Sequence, residues 1–165
     1  MALNFNNPGN IRLTSETWLG QIKPGDSTSF VTFQNQVYGY RALFKLILNY
    51  IKSGYNNINR IIYKYAPPGD NNPTVQYADF VSNRTGISKE TTIYPNDYHA
   101  IYLIGLAISR FETGAEPNTE AAKSGLEMVF NPEAYGDESN PNGFLVLFGL
   151  MTFAALIAAS KRKYL

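Results

Sequence analysis

The chain has 165 residues, a net charge of +1 and only 16% charged residues. That length suffices for one domain with a real core, and no basic stripe with interleaved aromatics runs along it, so nucleic acid is not expected as a partner. With no cysteine and a single histidine, His99, the sequence excludes a disulfide framework, a thiolate metal site, a cysteine nucleophile and a multi-histidine metal site.

The opening residues, MALNFNNPGN, have neither a basic n-region nor an apolar h-region, so no signal peptide is expected. Residues 4–10 read as a turn-rich segment, with Pro8-Gly9 as a turn dipeptide. Short strands are expected at 11–13 and, from the alternation in FVTF, at 30–33. Together they predict a small β lobe or hairpin, with 14–25 as loop. A strong helix follows over 37–52, with Ala42, Leu43, Leu46, Ile47, Tyr50 and Ile51 on one face. A second is predicted over 57–65, ended by Pro67-Pro68-Gly69. A third starts at an Asn72 N-cap with Pro73 in the first turn and runs to about 83, turning Val75, Tyr77 or Ala78, and Val81 inward. After a loop over 88–95, a helix over 96–113 is apolar on every side from Ala100 to Ile108 apart from the Tyr102 hydroxyl, as a central core helix would be. An amphipathic helix is predicted over 119–130. Residues 137–142 form a polar linker. The run FLVLFGLMTFAALIAA (144–159), followed by Lys161, Arg162 and Lys163, reads as a transmembrane helix with a basic tail; a buried C-terminal helix is the competing reading. The expected fold class is thus α+β, mainly α, with domains 1–136 (globular), 137–142 (linker) and 143–165 (membrane anchor).

Glu112 is the most informative single residue. It follows Ile104 and Ile108 at helical spacing, so its carboxyl leaves the helix on a face that is otherwise core. Gly114 stands where a C-cap glycine belongs, and Pro117 blocks continuation. A carboxyl on a core face, at the negative end of a helix, is a candidate general acid because both surroundings disfavour its charge. The plainer alternative is an exposed Glu112, or one paired with Arg110. The 12 Tyr, 10 Phe and many Asn suit either a carbohydrate groove or ordinary core filling.

Three segments resemble a known family: NNPGNIR (6–12) followed by Trp18, Gly20, Gln21 and FVTFQNQVYGYRAL (30–43); IIYKYAPPGDNNPTVQY (61–77); and LAISRFETG (106–114). They are similar to phage and prophage virion proteins classed with lysozyme-like peptidoglycan hydrolases. Where that family most often shows Trp and Glu, this chain has Tyr65 and Asp70. The helix end AISRFETG also resembles the "AxLESG" type motif that carries the catalytic Glu in bacterial glucosaminidases of the lysozyme-like superfamily. Their Asn-rich loop, Trp-Gly and aromatic strand follow that helix, whereas here they precede it, as in a circular permutation. The resemblance implies a lysozyme-like domain with Glu112 as catalytic acid and Asn7, Asn10, Arg12, Trp18 and Asp70 around the substrate.

Each of these residues also has a structural reading. Arg12 and Arg41 fit a salt bridge between lobe and first helix. Trp18 fits a plug, Asp70 an Asx turn, and Glu16, a possible second carboxylate, plain surface. His99 reads as a core or surface histidine. The expected function is a virion-associated, membrane-anchored peptidoglycan-degrading enzyme, a muramidase, glucosaminidase or lytic transglycosylase used in infection or lysis. It needs no metal or organic cofactor. Its expected partners are peptidoglycan, a lipid membrane and other capsid proteins. Its expected location is an internal virion membrane or the host membrane. The alternative is a non-catalytic virion protein bridging membrane and capsid on the same fold.

Overall fold

The computed structural model describes residues 5–22 and 29–135. Among the described residues there are five α-helices: α1 (Gln36–Lys52), α2 (Ile58–Tyr65), α3 (Thr74–Thr85), α4 (Tyr98–Thr113) and α5 (Thr119–Phe130), with 3₁₀ turns at Pro68–Asp70 and Pro132–Tyr135. Asparagines start three of them. Asn35 accepts from the Val37 and Tyr38 amides, Asn57 from Arg60 and Asn118 from Ala121, each satisfying N–H groups the helix leaves without partners.

Helix α4 packs against α1, α3 and α5, while α2 packs on α1 and α3. Ile101, Ile104, Ala107 and Ile108 are fully buried, with Leu103 and Leu106 partly so. The all-round apolar pattern of this stretch thus matches a helix with packing on three sides. The α1–α5 approach is close enough that a Cβ on Gly125 would stand 2.7 Å from the Arg41 backbone nitrogen. α3 starts differently from the expected cap. Asn72 donates to the Pro67 carbonyl (3.0 Å) and offers α3 no side-chain cap, and Pro73 occupies the cap position. Thr74 faces inward, donating to the Ala66 carbonyl at 2.6 Å. The buried stripe of α3 is therefore Thr74, Tyr77, Ala78 and Val81, and Val75, expected inside, is 67% exposed.

The α+β fold class is overturned. Among the described residues there is no strand; 5–22 and 29–34 meet through two isolated antiparallel bridges, Arg12 with Phe30 and Gln21 with Phe33. The physical cause is the loop's amides and turns. Asn6 and Asn10 sit in the left-handed region (φ 54° and 46°) and Gly20 at φ 72°, so the chain turns before a ladder can extend. Buried Asn7 supplies the missing bonds: its Nδ2 donates to the Ile11 and Val31 carbonyls (2.9 Å each), and its Oδ1 accepts from the Ile11 amide (2.9 Å). Val31 and Phe33 bury their side chains without a sheet, and Thr32 between them is buried as well, so the expected alternation is not observed. The expected transmembrane segment over 143–165 lies outside the described residues, as does the linker. No described helix is long and apolar enough to cross a membrane, so the observed fold is a helical domain with an irregular N-terminal lobe.

The lobe is pinned to the helices at Gly39. A Cβ there would lie 2.0 Å from the Asn6 carbonyl oxygen and 2.6 Å from the Pro8 ring. Only glycine lets α1 and the NNPGN loop come this close. This contact sets the position of Asn10 over the end of α4.

Candidate active site

Glu112 lies in the last turn of α4, which ends at Gly114 in the left-handed conformation (φ 69°). Its side chain is half-buried and held on both oxygens. Tyr77 on α3 donates its hydroxyl to Oε1 at 2.8 Å, and Asn10 of the loop donates Nδ2 to Oε2 at 3.0 Å. The same Asn10 nitrogen also lies 3.2 Å from the Glu112 backbone carbonyl, so one amide ties the loop to both parts of the residue. Arg110, the sequence-based alternative partner, instead bonds the Gly114 carbonyl and pairs with Glu116 at 3.3 Å.

The wall behind Glu112 is aromatic. Tyr77 is 1% exposed and stacks on Phe111 with ring centroids 3.7 Å apart. Tyr65 meets Tyr77 edge-on at 6.5 Å and donates its hydroxyl to the Gly9 carbonyl. Burial, followed by the neighbouring Glu112 charge, pushes the Tyr65 phenol well above its ordinary range. Burial does the same to Tyr77, with Tyr65 and Glu112 adding to it. Both phenols therefore stay protonated as hydrogen-bond donors across the physiological range.

In front of Glu112 is a cavity of about 490 Å³, within the range of small-molecule sites. The loop contributes Asn10, Arg12, Glu16 and Trp18 to its lining, the turn before α3 contributes Asp70 and Asn72, and α1 and α2 contribute Leu46, Tyr50 and Tyr65. The geometry thus brings Glu112, Asn10, Arg12, Trp18 and Asp70 to one cleft, from segments as far apart as 102 residues. Asn7 is not among them: it is buried and bonded within the loop it shapes. Arg41 is buried in α1 and does not line this cavity. Glu16 lines the cleft too, so Glu112 shares it with two further carboxyls and one guanidinium. Among the described residues, no three His, Asp or Glu side chains cluster as metal ligands.

Sequence reasoning placed Tyr77 only in the core, although it touches the Glu112 carboxyl. The available signal was physical: a buried tyrosine hydroxyl needs a partner, and Tyr77 closes the APPGDNNPTVQY segment. Tyr50 and Leu46 lie on the apolar face of α1, which predicts core positions; they form the cleft's apolar side.

No protein-family profile matches the chain. Protein P5 of Pseudoalteromonas phage PM2 is similar to it, with 32% identity over 134 residues that cover 78% of this chain and 81% of Protein P5. Identity at this level over most of both chains places the protein in a family of phage proteins, that of Protein P5 of Pseudoalteromonas phage PM2.

Proposed function

We propose that this protein is a virion-associated peptidoglycan-degrading enzyme of the lysozyme-like class, with Glu112 as its general acid. One observation carries the reading: a half-buried carboxyl at the end of a core helix, fixed in orientation by Tyr77 and Asn10 at the edge of a cleft of about 490 Å³. The resemblance of the three sequence segments to lysozyme-like virion hydrolases, and the kinship with a phage protein, support it.

In the mechanism, a sugar strand lies in the cleft with a ring against Trp18. Glu112 gives its proton to the glycosidic oxygen, the C–O bond breaks, and an oxocarbenium-like centre develops on the sugar. The bonds from Tyr77 and Asn10 strengthen as the carboxyl becomes a carboxylate, since charge-assisted hydrogen bonds are the stronger kind. Asp70 or Glu16, on the same cleft, faces the developing positive charge. Glu112 then takes a proton back, either from an attacking water or from the sugar's own hydroxyl, which closes an anhydro ring. Other capsid proteins are the partners that would hold the enzyme on the virion.

The test is turbidity loss of purified peptidoglycan by the full chain beside Glu112→Gln. General acid catalysis predicts a loss of at least about 100-fold in the variant. Equal clearing by both would remove Glu112 from the chemistry. A specific feature favours a second, structural reading. Asn10 bonds the Glu112 carboxyl and its backbone carbonyl together, as a purely mechanical tie between loop and helix would. If folded wild-type protein leaves its host's peptidoglycan intact while Glu112→Gln unfolds several degrees lower, the domain is a scaffold.

A further inference from the structure

A second concave site lies beside the first. Its volume is about 440 Å³, and it is formed by the turn after α1 and the outer face of α2, with Tyr55, Asn59, Arg60 and Tyr63 among its lining. Tyr63 is 58% exposed. Its neighbour Tyr55 is half-buried, with the Lys64 ammonium 5.6 Å from its ring centre.

The two sites are connected by aromatic rings. Tyr50 lines the Glu112 cleft, and its ring lies 6.3 Å, edge-on, from that of Tyr55 in the second site. The charges are divided between them. The cleft carries three carboxyls (Glu16, Asp70, Glu112) against Arg12. The lining of the second site carries Arg60 and no acid, with Lys64 at one edge and Glu90, bonded by Asn59, at another. Peptidoglycan has the matching asymmetry: a glycan backbone that is neutral at its ring faces, and stem peptides that end in carboxylates.

We infer that the Tyr55–Tyr63 site is a distal subsite for the same glycan strand. A strand leaving the Glu112 cleft passes the Tyr50–Tyr55 contact, lays a sugar face on Tyr63, and sets a stem-peptide carboxylate against Arg60 and Lys64. Neutral sugar in the acidic cleft and carboxylates on the cationic site avoid like-charge juxtaposition. This inference takes its ligand from the proposed function and adds to it a requirement for polymeric substrate.

The experiment uses the full chain with Tyr63→Ala and, separately, Arg60→Ala with Lys64→Ala. All three residues are exposed, and none touches Glu112. Binding to insoluble peptidoglycan sacculi is measured by co-sedimentation, in a Glu112→Gln background so that chemistry does not intervene. Cleavage is measured on sacculi and on short glycan oligomers. The expected result is binding to sacculi weakened roughly three- to tenfold by Tyr63→Ala. KM on sacculi should rise by the same factor, with kcat and short-oligomer cleavage unchanged. The double cationic variant should weaken binding to sacculi but not to glycan strands stripped of peptide. Unchanged sacculus binding in Tyr63→Ala overturns the inference even if the enzyme clears peptidoglycan normally. Tyr63-dependent binding by a protein with no clearing activity overturns the catalytic reading and leaves the subsite standing.

Discussion

Replacing Tyr77 by Phe removes one oxygen and tests how Glu112 is held. The ring keeps its 3.7 Å stack on Phe111, so packing is conserved, while the 2.8 Å bond to Glu112 Oε1 is lost. Leaving a buried hydrogen-bonding group without its partner costs about 1–3 kcal/mol. Glu112 is only half-buried, so water recovers part of this, and about 1–2 kcal/mol remains. For a domain of this size that is a fall in Tm of roughly 5 °C at pH 7. The alkaline limb gives an independent reading. Burial raises the Tyr77 phenol above its ordinary value of 10.0, so the folded protein keeps a proton that the unfolded chain releases. Stability from this source is full below pH 10 and is lost as pH rises beyond it, by about 1.4 kcal/mol at pH 11 for each such tyrosine. Tyr65 behaves in the same direction. Between pH 9 and pH 11, Tyr77→Phe should therefore lose about 1.4 kcal/mol less than wild type, as measured by urea unfolding followed by circular dichroism. Equal alkaline losses in the two proteins, or an unchanged Tm at pH 7, would refute a buried Tyr77 hydroxyl bonded to Glu112.

Asn7→Ala strands the Val31 carbonyl and the Ile11 amide, while the Ile11 carbonyl keeps the Val31 amide at 2.9 Å, and should lower stability by about 2–3 kcal/mol in urea titration. Gly39→Ala forces a methyl to within 2.0 Å of the Asn6 oxygen, so it should destabilise by roughly 2 kcal/mol or more. Because the shift moves the loop that carries Asn10, peptidoglycan clearing should fall in Gly39→Ala even at temperatures where circular dichroism shows it folded. Asn35→Ala removes the acceptor for two amides at the start of α1 and should lower stability by about 1 kcal/mol by thermal melt. Val75→Lys, on the exposed face of α3, should leave the melt unchanged within about 0.5 kcal/mol.

The helices were legible because each of their signals is local. Apolar spacing placed α5 at its observed limits, and spacing with Gly and Pro stops brought α1, α2 and α4 within one or two residues. The lobe was not legible in the same way. Its FVTF run suggested alternation, yet Val31, Thr32 and Phe33 are all buried, and a burial pattern reports which side chains face inward and not which groups bond the backbone. Here the bonding falls to Asn6 and Asn7, whose amides reach residues up to 28 positions away. The site has the same character. Glu112 was found from helix periodicity and Gly114, both local, whereas its partners Asn10 and Tyr77 come from segments 102 and 35 residues distant. Asn10 follows Asn7 in one short loop and does the same chemical work, an amide supplying bonds where regular structure supplies none. The loop that replaces the expected sheet is therefore also the element that holds the candidate acid. A substitution that merely loosens this loop should impair the site before it unfolds the domain, which is why the Gly39→Ala comparison separates positioning from global stability.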